Sequence, residues 1–119
     1  MSKSRRPTLE HRPVISVVVI GGPDSLYEAA QRAASLATSA NVLRSEIAGA
    51  ATLVARERPF AIVVSDEIYG FDAGEFDALA RDVQAALIAL PTDGVAPRTL
   101  QERLTPLILD AFREYFRDD

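Results

Sequence analysis

Residues 59–74, PFAIVVSDEIYGFDAG, constrain the fold more than any other stretch, because an unbroken apolar run from Phe60 to Val64 passes directly into Ser65, Asp66 and Glu67. A strand that is apolar at consecutive rather than alternate positions is buried on both faces, the condition of a strand inside a parallel sheet with helices on either side. Polar residues that follow such a strand fall at the sheet's carboxyl edge, where open α/β sheets hold their ligands. The segment Tyr69 to Gly74 then reads as a loop, and Tyr69 and Phe71 bring to it the aromatic side chains that interfaces favour.

Elements of matching character lie on both sides. Val14 to Ile20 (VISVVVI) is a β-branched run ending at Gly21-Gly22-Pro23, a central strand followed by a tight turn. Ser25 and Glu28 have capping-box spacing, and Leu26, Ala29, Ala30, Ala33, Ala34, Leu36 and Ala37 give the helix they open an inward face of mostly small residues, ending near Thr38 to Asn41. Val42 to Ile47 carries Arg44 and Glu46 and reads as an edge strand. A helix is expected over Ala48–Arg58, with Ala50, Ala51, Leu53, Val54 and Ala55 inward and Pro59 stopping it. Phe76, Leu79, Ala80 and Val83 mark a third helix, and Ala85 to Leu90 a fourth strand closed by Pro91-Thr92-Asp93-Gly94. Thr99 and Glu102 form a second capping-box pair. Behind them Leu100, Leu104, Leu107, Ile108, Ala111, Phe112, Tyr115 and Phe116 recur at helical spacing, and Pro106 either kinks that helix or restarts it with Thr105 as cap.

Strands alternating with helices require crossover connections, so the fold class is α/β: a doubly wound, parallel, four-stranded sheet in the order 2-1-3-4. The switch point lies between the first and third strands, where Gly21 to Ser25 and Ser65 to Glu67 converge. At 119 residues there is room for one domain, expected over residues 14–119 behind a disordered basic arm, residues 1–13.

The formal net charge of −4 divides unevenly: Lys3, Arg5, Arg6 and Arg12 against Glu10 give the arm +3, leaving −7 for the remainder. An acidic body is a poor surface for phosphate backbones, so no nucleic acid is expected on the folded part. The chain has no cysteine, which removes thiolate ligands and thiol nucleophiles and makes the cytoplasm the expected setting. His11, the only histidine, lies in the arm with neither a second imidazole nor a cysteine nearby, which makes it a poor metal or triad candidate. No apolar run approaches the roughly 20 residues of a membrane span. A glycine turn before a helix has the general form of an anion site, yet Gly21-Gly22-Pro23-Asp24-Ser25 matches neither the dinucleotide fingerprint nor the P-loop.

From Val14 to about Thr92, and most closely over RPFAIVVSDEIYGFDAGEFDAL, the order of elements resembles the receiver domain of bacterial response regulators. That family sets a pair of acids after its first strand to hold Mg²⁺ and a phospho-accepting Asp at the end of the third. The resemblance places Gly21 and Gly22 at the acid pair, with Asp24 the nearest carboxylate, and Ser65 at the acceptor, with Asp66 one place later. The family's hydroxyl residue corresponds to Thr92, and its lysine before a proline to Ala96 before Pro97. The five residues from Thr92 to Ala96 cannot hold the further helix and strand of a receiver, so the fold is expected to be flavodoxin-like but shortened at its C-terminal side.

The resemblance implies a degenerate, non-catalytic pseudo-receiver, without cofactor, serving as a protein-protein interaction or adaptor module in bacterial signalling. Asp24, Ser65, Asp66, Glu67, Tyr69 and Phe71 are its candidate interaction surface, and Ser65 and Asp66 its degenerate acceptor site. An uncovered fourth strand makes a homodimer the expected assembly. The alternatives are a working receiver phosphorylated at Asp66 with Mg²⁺ held by Asp24 or Glu67, or a small nucleotide- or phosphate-binding protein at the glycine turn.

Overall fold

In the computed structural model, which describes residues 15–117, four strands of five residues each run parallel: β1 (Ser16–Ile20), β2 (Asn41–Ser45), β3 (Ala61–Ser65) and β4 (Ala86–Leu90). Their order is β2-β1-β3-β4, as the doubly wound reading requires, and the fold is flavodoxin-like. The arm over residues 1–13, with His11, lies outside the described residues.

The interior strands are β1 and β3, and every residue of both is buried. Their side chains alternate between two cores. Val17, Val19, Ala61 and Val63 meet α1 (Asp24–Ala37) and α5 (Pro97–Tyr115) on one face of the sheet. Val18, Ile20 and Ile62 meet α2 (Ala50–Glu57) and α4 (Ala73–Asp82) on the other. Small residues Ala29, Ala30 and Ala33 on α1 let its backbone lie close to the sheet, with Leu100, Leu104, Ile108 and Ala111 of α5 completing that layer. Each fully buried Val or Ile contributes about 1.5–3 kcal/mol of transfer free energy.

Several local expectations are corrected. Neither expected capping box forms. The N-cap of α1 is Pro23 rather than Ser25, and that of α5 is Ala96, with Pro97 in the first turn ahead of Thr99. Pro97's fixed φ suits the first turn of α5, and α1 has already begun at Asp24, so Thr99 and Ser25 both fall inside their helices instead of capping them. The 3₁₀ turn Ile47–Gly49 precedes α2, so the expected helix from Ala48 begins with a tighter turn. Leu36, expected inward, is 67% exposed, Leu107 is also exposed, and so are Ala51 and Ala55. The apolar stripe of α5 runs through Pro106 as one helix; Thr105 donates to the Gln101 carbonyl (2.8 Å) rather than capping a new start.

The segment from Tyr69 to Gly74, expected as a loop, is largely helical. A six-residue helix, α3 (Asp66–Phe71), leaves β3 without an intervening loop, and Asp72 alone separates it from α4. At the other edge, residues 91–96 connect β4 directly to α5, and β4 has no partner on its outer side among the described residues.

Candidate functional site

The switch point lies at the carboxyl ends of β1 and β3. Ile20 pairs with Val64, so Gly21 stands level with Ser65, the juxtaposition expected from the sequence. The chemistry is decided by what lies above them. Gly21 has φ +60° and Gly22 φ +80°, and the Gly21 N–H donates to the Ser45 carbonyl (2.7 Å), carrying the sheet hydrogen bonding one step into the turn. A Cβ built on Gly21 would stand 2.7 Å from Ile68 Cδ1 and 3.5 Å from Ile47 Cγ1. Two isoleucines, one from α3 and one from the 3₁₀ turn, therefore close over the crevice with aliphatic carbon. Hard cations take oxygen ligands, and among the described residues no three acidic, His or Cys side chains gather to hold a metal.

Asp24 turns away from this point. Its carboxylate pairs with Arg44 Nη1 of β2 at 2.8 Å, while Arg44 Nη2 donates to the Gly22 carbonyl (3.1 Å) and its guanidinium lies 5.3 Å from the centre of the Tyr27 ring. The glycine turn is thus tied to the edge strand, with a carboxylate at the start of α1 where an anion site would need open N–H groups.

Ser65 is buried, so it is no part of an exposed surface, and its Oγ accepts from the Ile68 N–H (3.3 Å) as the N-cap of α3. Asp66 and Glu67 occupy the exposed first turn of that helix, where negative charge complements the helix dipole. Asp72 caps α4 in turn: its Oδ1 accepts from the Glu75 N–H (3.3 Å).

Tyr69 and Phe71, paired in the sequence reading, separate. The Tyr69 hydroxyl donates to both carboxylate oxygens of Asp77 (3.0 and 3.2 Å) and its ring tilts onto Phe76, locking α3 to α4. The hydrogen bond to Asp77 holds the tyrosine proton more firmly and pushes its pKa above the ordinary tyrosine value. Phe71 is 85% exposed. It borders a groove of about 290 Å³ lined also by Ile47, Ala50, Ile68, Phe76 and Leu79, with Asp72 and Glu75 on its rim. Of the six residues in the sequence-derived surface, Asp66, Glu67, Tyr69 and Phe71 share α3, whereas Ser65 lies beneath it and Asp24 is engaged with β2.

Ile47 and Ile68 had no role in the sequence reading. The signal for Ile68 was present: a serine followed by Asp66 and Glu67 is a helix start, and it puts Ile68 at the third helical position, on the residue the cap binds.

Comparison with family models, with curated proteins and with solved structures finds no match to this chain. Among the described residues no helix is long and apolar enough to cross a membrane.

Proposed function

We propose that the chain is a pseudo-receiver, a non-catalytic interaction or adaptor module of bacterial signalling that acts in the cytoplasm without being phosphorylated. The observation that carries this reading is the closure of the switch point by Ile47 and Ile68 over Gly21. Phosphoryl transfer to a receiver needs carboxylates for the cation and a cationic side chain for the developing charge. This chain offers glycines at the acid pair, a buried helix-capping serine at the acceptor, and Ala96, the N-cap of α5, at the lysine position. Incubation with acetyl phosphate and Mg²⁺ is expected to leave the intact mass unchanged. A gain of one phosphoryl group that disappears in Asp66→Asn would instead identify a working receiver.

The assembly that fits this reading is a homodimer through β4. Natural edge strands are blunted by charge, proline or bulges, and Ala86–Leu90 (ALIAL) has none of these. Two copies related by a two-fold axis pair such edges antiparallel. Light scattering at high micromolar concentration is expected to give twice the monomer mass. Ala89→Lys, at an exposed position of the edge, is expected to return the monomer with stability changed by no more than about 0.5 kcal/mol. A monomer mass for the unmodified chain sinks the dimer.

A further inference from the structure

The closure that removes a chemical site leaves beside it a groove of defined character. One wall is the 3₁₀ turn and α2, the other is α3 and α4, and two of the apolar side chains between them are not covered: Phe71 is 85% and Ile47 52% exposed. Fully burying a phenyl side chain is worth roughly 1.5–3 kcal/mol, so a surface that covers Phe71 gains by doing so. The volume, about 290 Å³, sits at the lower bound of small-molecule pockets, about 300–1,000 Å³. The polar groups among the lining side chains are the carboxylates of Asp72 and Glu75, with no side-chain hydrogen-bond donor beside them. The space is sized for one or two side chains of a macromolecule.

Charge selects which macromolecule. Residues 66–80 carry Asp66, Glu67, Asp72, Glu75 and Asp77, all exposed, and no Lys or Arg. Nucleic acid and anionic membrane, both polyanions, are repelled by such a face, whereas a cationic protein segment is attracted. Backbone geometry selects the shape. The groove walls are helices, whose backbone groups are mostly paired internally, so they offer no ladder for an added strand and present only side chains.

We propose that this groove binds a basic amphipathic helix of a partner protein, seating large apolar residues at i and i+3 or i+4 against Phe71 and Ile47 with flanking Lys or Arg toward Asp72 and Glu75. This rests on reading the chain as an interaction module, and it uses a surface separate from the β4 edge.

The test is a displayed library of random peptides of about 16 residues, roughly four helical turns, selected on the full chain, with the winners labelled and titrated by fluorescence anisotropy. The expected winners are net positive with apolar residues at helical spacing, and they bind more weakly as salt rises. Phe71→Ser and Ile47→Ser are each expected to weaken binding by about 10-fold or more, the loss typical of an interface anchor, and Glu75→Lys by about 5-fold or more. Phe71 is 85% exposed and takes no part in the closure over Gly21, so an unchanged urea midpoint for Phe71→Ser separates lost binding from lost folding. An empty selection, acidic or uncharged winners, or winners that bind Phe71→Ser as tightly as the unmodified chain each overturn the proposal. Winners that bind at least about 10-fold more tightly once residues 1–13 are deleted also overturn it, by identifying this chain's own basic arm as the occupant. None of these failures touches the mass or light-scattering results, so the interaction-module reading stands or falls separately.

Discussion

Gly21→Asp is expected to destabilise the domain by about 2–4 kcal/mol and to gain nothing from Mg²⁺. On the proposed pseudo-receiver reading the substitution puts a carboxylate at the place of a receiver's acid pair, so a site short only of ligands would gain cation binding. Here the backbone and the surroundings both oppose it. Gly21 sits at φ +60°, a conformation that costs an L-residue roughly 1–2 kcal/mol, less for Asp than for most. Its new Cβ would lie 2.7 Å from Ile68 Cδ1, so Ile68 must leave its place over the crevice, and the carboxylate would face Ile47 and Ile68 instead of a cation. Urea unfolding of both proteins, with and without MgCl₂, reads the outcome. A variant as stable as the parent, or one stabilised by Mg²⁺, would mean that the carboxyl edge accommodates an acid and that aliphatic closure is not what silences it.

Phe60→Ala is expected to cost about 3–5 kcal/mol, the range for truncating a buried phenylalanine. Phe60 lies just before β3 and is almost wholly buried; its N–H donates to the Ser16 carbonyl and its own carbonyl accepts from Ala86, at 3.0 Å each, so it joins β1, β3 and β4 at the base of the sheet. Its ring meets Phe112 edge to face (centroids 5.6 Å) and Tyr115 at 6.2 Å, and Phe112 continues to Phe116 at 4.9 Å. Alanine leaves a void under the last two turns of α5 and removes the ring on which they rest. The melting temperature is expected to fall by more than about 10 °C for a domain of this size. A loss below about 1 kcal/mol would mean that the end of α5 is not held by this cluster.

The sheet was legible because its evidence is local: β1 and β3 are largely apolar runs that only a doubly covered strand tolerates, and β2 declares itself an edge through its exposed Arg44. Strand order then followed from the crossover and switch-point rules. What misled were signals that compete within a few residues. Ser25 with Glu28 and Thr99 with Glu102 have the right spacing for caps, but Pro23 and Pro97 stand upstream and fix where each helix starts. The helix α3 is too short for periodicity to reveal, so the segment from Tyr69 to Gly74 passed for a loop. The character of the site was legible only in one part, the glycines instead of carboxylates at the end of β1. The other part depends on Ile47 and Ile68, far apart in sequence and each ordinary alone, meeting over a glycine.

The order β2-β1-β3-β4 also governs how the chain reaches this arrangement. Every ladder in the sheet includes β1 or β3, so these two strands form a spine and each edge strand hangs from one of them. Joining the spine closes a loop of about 40 residues, and the entropy of that closure is lost before the long-range contacts of the spine repay it. The segment enclosed by the loop is β2 with its flanking helices, which a β1–α1–β2 unit can assemble through nearer contacts. Placing β3 against β1 is therefore the step that commits the chain, and it brings Ile68 over Gly21 at the same moment: the crevice is sealed as the domain forms.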